Sequence, residues 1–186
     1  LGSAPAQTAA VPQNAAGHDA AIRSLMDMLG RTRIPTEAQI SPDGSTVAWS
    51  VRTPDGSEIH LSSATHPDPA TEKIVGTGTG ATGCTNEQPR WSPDGQSLAF
   101  LSNCTELIGN PNQEQLFVWS VKTGEARQLT HLTGNLNEPT WSPDGKSIAF
   151  LFVENATRRA GALDAMKPWS GVIGEEGVEV QRIGIV

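Results

Sequence analysis

The sequence predicts an all-β fold, a partial β-propeller of about two and a half four-stranded antiparallel blades preceded by a short helix. Three observations predict it. An eleven-residue pattern recurs three times at near-constant spacing, each copy is built around a tight-turn tetrapeptide, and the best-preserved repeat holds four strand-like runs.

The pattern is Ile40-Ser41-Pro42-Asp43-Gly44-Ser45-Thr46-Val47-Ala48-Trp49-Ser50, then Trp91-Ser92-Pro93-Asp94-Gly95-Gln96-Ser97-Leu98-Ala99-Phe100-Leu101, then Trp141-Ser142-Pro143-Asp144-Gly145-Lys146-Ser147-Ile148-Ala149-Phe150-Leu151. The tetrapeptides begin at 41, 92 and 142, which sets the period at 51 and 50 residues. Proline fixes φ at the second position of a type I turn, aspartate suits the third, and glycine accepts the left-handed conformation that closes a three-residue hairpin loop. Each copy therefore starts a repeat with a hairpin.

In the second repeat, strands are expected at Asn86–Trp91, Ser97–Ser102, Gln115–Val121 and Ala126–Thr130, with Lys122-Thr123-Gly124-Glu125 turning the third into the fourth. Four strands in 40–50 residues is the arithmetic of a propeller blade, and one blade cannot bury both of its faces alone. The first repeat follows the same plan, with strands expected at 34–40, 46–52, 58–62 and 72–75. Before it, Ile22, Leu25, Met26 and Leu29 recur at helical spacing between Asp19, placed to cap, and Gly30, placed to terminate. A helix over 19–29 follows, its apolar stripe expected to pack against the domain.

The third repeat gives a hairpin, a long excursion over 154–177, and an apolar run at 178–186 left as an unpaired strand. That pattern predicts a fragment, open at both ends and prone to self-association through its free β edge. The expected organisation is a flexible segment at 1–18, helix and lead-in at 19–33, and repeats at 34–83, 84–133 and 134–186.

Composition narrows the function. Hydrophobic residues make up 37% of the 186, too many for a disordered chain. The net charge of −7, with no basic cluster longer than Arg158-Arg159, argues against nucleic acid and anionic membranes. No apolar run is long enough to span a membrane. Ala4-Pro5-Ala6 fits a signal-peptidase site and predicts an exported, periplasmic or secreted chain.

The two cysteines agree with export. A three-residue loop at 93–95 would set Ser92 opposite Gln96, and counting back from that pair sets Cys84 opposite Cys104. Cross-strand pairs stand within disulfide range, and closing this loop is worth about 3 kcal/mol in the chain-entropy account. Such bonds persist in oxidising compartments.

Catalytic chemistry is not predicted. No serine has glycine at both flanking positions of a Gly-x-Ser-x-Gly elbow, and no histidine follows His131. Gly78-Thr79-Gly80-Ala81-Thr82-Gly83 has dinucleotide-site spacing, but a proline-containing strand follows where a phosphate-binding helix would be required. It is expected to be an inter-blade loop. His60, His66 and Asp68 lack a second ligand pair and are expected to be surface residues, so neither a metal nor a cofactor is predicted. Asp43, Asp94 and Asp144 are expected to form turns. Asn103-Cys104-Thr105 and Asn155-Ala156-Thr157 fit glycosylation sequons.

The Trp-Ser-Pro-Asp-Gly-x-x-Ile-Ala-Phe repeat resembles that of TolB-like periplasmic proteins and of the prolyl oligopeptidase family of serine peptidases. The lead-in from Arg23-Ser24-Leu25 to Gln39-Ile40-Ser41-Pro42-Asp43-Gly44 is similar to that of the dipeptidyl-peptidase and acylaminoacyl-peptidase branches. The excursion from Glu154-Asn155-Ala156-Thr157 to Gln181-Arg182-Ile183 is similar to an insertion in bacterial secreted members. This resemblance implies an N-terminal propeller that admits small peptides to a C-terminal hydrolase domain carrying the Ser-Asp-His triad. None of the triad positions lies in these residues. The alternative is a non-enzymatic, TolB-like scaffold for protein partners. A WD-repeat reading, suggested by Val118-Trp119-Ser120-Val121-Lys122-Thr123-Gly124, is disfavoured by the fifty-residue period and the missing Gly-His…Trp-Asp signature. The purified 186-residue chain is expected to release no product from peptide substrates, which a discontinuous assay by mass spectrometry checks.

Overall fold

The computed structural model describes residues 15–30, 33–77, 83–105, 113–156 and 180–186. Ala4-Pro5-Ala6, the glycine-rich stretch 78–82 and the excursion from 157 to 177 lie outside them. Two units are distinguished, 1–32 and 33–186. The first contains α1 (Ala15–Gly30), which begins four residues before the expected start. Its Ile22, Leu25, Met26 and Met28 are exposed.

The second unit is three antiparallel sheets. Sheet 1 joins β1 (Ile34–Ile40), β2 (Thr46–Thr53), β3 (Gly56–Ser63) and β4 (Lys73–Val75) in chain order. Sheet 2 repeats the plan with β5 (Asn86–Trp91), β6 (Ser97–Ser102), β7 (Gln115–Ser120) and β8 (Ala126–Gln128). Sheet 3 holds β9 (Gly134–Trp141), β10 (Ile148–Glu154) and β11 (Gln181–Ile185). Residues 178–186 were expected to be unpaired, but β11 lies antiparallel along β10, from Ala149 opposite Ile185 to Val153 opposite Gln181. Pairing satisfies one edge of that strand. Its Ile183 and Ile185 side chains remain more than 70% exposed.

The sheets stack because the middle one is apolar on both faces. Along β6 alternate side chains point in opposite directions. Leu98 and Phe100 join Ala48, Ile59, Leu61 and Val75 of sheet 1 in one core. Ala99 and Leu101 join Leu136, Ile148 and Phe150 of sheet 3 in a second. Phe100 is fully buried, and its ring stacks on Phe117 at 5.6 Å between centroids. First strands meet across the stack, β1 with β5 and β5 with β9, whereas β4 packs chiefly on its own sheet. The sheets therefore converge at their first strands and diverge at their last, as propeller blades do.

Hydrogen bonds repeat across the two seams. The Trp91 indole N–H donates to the Gln39 carbonyl at 3.4 Å, and that of Trp141 donates to the Arg90 carbonyl at 3.0 Å. Gln39 and Arg90 occupy equivalent repeat positions, so this is one bond made twice. Ile40 stands at the corresponding place in sheet 1, has no side-chain N–H to offer, and is 59% exposed.

The hairpins differ from the expected geometry in two compensating ways. Ser92 N–H bonds Ser97 C=O at 2.9 Å and Trp91 faces Leu98, so the loop holds four residues, 93–96, instead of three. That alone would move Cys84 off Cys104 by one position. A β-bulge restores it: Gln88 and Pro89 together face Phe100, and beyond them Glu87 faces Leu101 and Asn86 faces Ser102. The same bulge recurs at Thr36-Glu37 and Glu138-Pro139. Gln88 and Glu138 take left-handed φ values of 57° and 51°.

Trp141→Phe removes the indole bond to the Arg90 carbonyl, and is expected to cost about 0.5–1.5 kcal/mol. Urea unfolding at constant m-value checks this.

Candidate functional site

Each Ser-Pro-Asp-Gly turn is held by one set of local bonds. In the first, Ser41 Oγ donates to Asp43 Oδ1 at 2.5 Å, Ser45 N–H donates to the same oxygen, and Thr46 N–H donates to Ser41 Oγ. Ser92, Asp94, Gln96 and Ser97 repeat it, as do Ser142, Asp144, Lys146 and Ser147. Gly44, Gly95 and Gly145 have φ of 72°, 68° and 68°, which only glycine adopts freely. Successive turns sit side by side. A Cβ on Gly95 would lie 3.6 Å from Pro42 Cδ, and one on Gly145 would lie 3.6 Å from Pro93 Cδ. The three turns thus form a continuous surface at one end of the stack.

Hydrogen bonds set the charge of these aspartates. Donation from the Ser41 hydroxyl, then from the Ser45 N–H, lowers Asp43 from 3.8 to about 2. Ser92 and then Gln96 lower Asp94, and Ser142 and then Lys146 lower Asp144. Their carboxylates are used internally, consistent with turn formers and not with proton-transfer groups.

The disulfide joins Cys84 to Cys104 with Cα atoms 4.9 Å apart, at the end of the β5–β6 hairpin remote from the turn. Cys84 also touches sheet 1. Its carbonyl accepts from Ser57 N–H at 3.1 Å, and next to it Ser57 O and Oγ bond the Asn86 side chain and N–H. A Cβ on Gly56 would collide with the Cys84 carbonyl, which explains glycine there. Asn103 is 6% exposed and accepts from Thr85 N–H, so its sequon is inaccessible in the folded chain. Thr157 of the second sequon lies outside the described residues.

Along the converging edge runs a polar row. Arg90 pairs with Glu37 at 3.2 Å, and Gln88 bonds the Asn137 side chain and the Glu138 N–H at 2.5 and 2.7 Å. The bulges aim these side chains from one first strand toward the next. Buried amides secure the link into sheet 3: Gln115 bonds Thr130 and both polar groups of Leu132, and Gln113 holds the N–H and C=O of Gly134.

His60 is not on the surface. It is 2% exposed, lies over Trp49 with ring centroids 5.6 Å apart, and faces Glu72 through Nδ1 and Glu58 through Nε2. Alternation in β3 gave no hint, because Glu72 arrives from the β3–β4 connection. His66 and Asp68 are exposed on that connection, apart from His60 in contacts. Among the described residues no group of three or more His, Cys, Asp or Glu side chains is disposed to hold a metal.

A cleft of about 390 Å³ opens between sheets 1 and 2 beside the turns. Leu61, Trp91, Trp119 and Val121 supply apolar surface, while Ser62, Thr71 and Lys73 supply polar atoms. Its lining residues come from five strands and three connections, so periodicity within one element does not reveal it.

The family model of the TolB beta propeller domain matches residues 28–158, which span β1 to β10 and all three turns. This chain belongs to the TolB β-propeller domain family. Among solved structures, the chain is similar to a protein assigned as TolB from Agrobacterium tumefaciens, with 21% identity and a TM-score of 0.52, over 68% of this chain and 41% of that one. It is also similar to an acylaminoacyl peptidase solved with a Z-Gly-Gly-Phe chloromethyl ketone, with 14% identity and a TM-score of 0.51, over 76% of this chain and 20% of that one. At these identities the likeness is one of fold. The chain spans less than half of either protein. No curated protein matches the sequence, and among the described residues no helix is long and apolar enough to cross a membrane.

The turn aspartates make a pH prediction. Their folded-state values lie below the unfolded ones, so their contribution to stability is complete above about pH 4. It drains away as pH falls through the folded values, near 2 for Asp43. Thermal unfolding from pH 5 to pH 2 is expected to show a steeper fall for the native chain than for Asp43→Asn.

Proposed function

We propose that this chain is the propeller region of an exported serine peptidase, where it binds peptides and limits their admission to a hydrolase domain of the same protein. The observation that carries the reading is the polar row Glu37, Arg90, Gln88 and Asn137 along the converging first strands. In a propeller this edge faces the axis, and amide and charged groups there suit the backbone of a passing peptide. The Cys84–Cys104 bond supports export, since it joins two cysteines in a manner that reducing compartments do not sustain. Repeated aspartates committed to turns support a binding part, not a catalytic one.

A second reading, a TolB-like scaffold for protein partners in the periplasm, is favoured by the family match over residues 28–158. A fluorophosphonate probe, which reacts with activated serines, separates the two. The native protein carrying this chain is expected to take up the probe, and the 186-residue chain to take up none. A native protein that stays unlabelled under conditions that label a control hydrolase favours the scaffold.

A further inference from the structure

We propose that the cleft between sheets 1 and 2 binds a short peptide by its C-terminal residue, an apolar or aromatic side chain entering between Trp91 and Trp119 and the free carboxylate meeting Lys73, which stands opposite Leu61 on the face turned to sheet 2. The inference deepens the peptide-binding reading above and names a site distinct from the polar row.

The cleft holds about 390 Å³, within the range of small-ligand sites, and combines apolar walls with a few convergent donors. Its walls are pre-organised. Trp91 is fixed by its bond to the Gln39 carbonyl, Trp119 is 6% exposed in the core between the sheets, and Leu61 belongs to that same core. Val121 also lines the cleft and is 42% exposed. Aromatic walls held in this way lose little entropy when an apolar group enters.

Charge decides the other half of the ligand. Lys73 is exposed at the start of β4, with no ion pair among the described residues, although the chain carries net charge −7. The nearby carboxylates are committed elsewhere, Glu72 to His60 and Asp43 to Ser41 and Ser45. An ammonium beside an apolar slot matches a carboxylate one carbon from an apolar side chain. The C-terminal residue of a peptide has that arrangement, and a C-terminal amide lacks the charge.

The test uses the 186-residue chain with N-acetyl-Gly-Phe and its C-terminal amide, followed by 15N NMR of the tryptophan indole N–H groups. The acid is expected to shift the Trp91 and Trp119 signals saturably and to bind about five- to tenfold tighter than the amide. Lys73→Gln changes an exposed residue and should remove that preference without altering the spectrum of the free chain. Val121→Asp should weaken both ligands. Equal binding of acid and amide, a preference that survives in Lys73→Gln, or shifts confined to other residues would overturn the inference. Fluorophosphonate labelling of the native protein does not depend on any of these outcomes, so the two readings fail separately.

Discussion

A sheet with apolar side chains on both faces is stable only between two others, and sheet 2 is such a sheet. Leu98 and Phe100 look one way from β6, and Ala99 and Leu101 look the other. Everything else in the second unit serves that stacking. The tryptophan-to-carbonyl bonds tie one first strand to the next, and the turns lie side by side at one end. At the opposite end of the hairpin, the Cys84 carbonyl and Asn86 bond Ser57 and hold sheet 2 to the tip of sheet 1, while the disulfide closes the end of the β5–β6 pair itself.

The fold was legible because its instructions are local and repeated. Pro93, Asp94 and Gly95 define a turn by their own backbone preferences, and the strands of sheet 2 lie within a residue or two of their expected ends. The bulges were not legible. Gln88 and Glu138 are ordinary residues for a strand, and nothing in their side chains announces the left-handed conformation each takes in its bulge. The cysteine pairing survived because a loop one residue longer than assumed was offset by a bulge of one residue. Agreement there rested on two cancelling departures, which a count along the chain cannot reveal.

The candidate site was far less legible. Its parts come from different sheets: Trp91 and Trp119 from the second, Leu61 and Lys73 from the first. No spacing rule relates positions 18 to 58 residues apart until the stacking is known. His60 shows the same difficulty in reverse. Its polarity and loop-flanked strand suggested solvent, yet Glu58, Glu72 and Trp49 enclose it, and the decisive residue, Glu72, approaches from a connection with no periodicity.

The indole-to-carbonyl bonds also act as a ruler. Each spans one full repeat, from Trp91 to Gln39 and from Trp141 to Arg90. Gain or loss of a whole unit would leave every such bond with an equivalent mate, whereas a one-residue slip inside a first strand would break the seams on both sides. Architectures ruled in this way change length by copying entire modules, and accept irregular additions only where no seam is crossed.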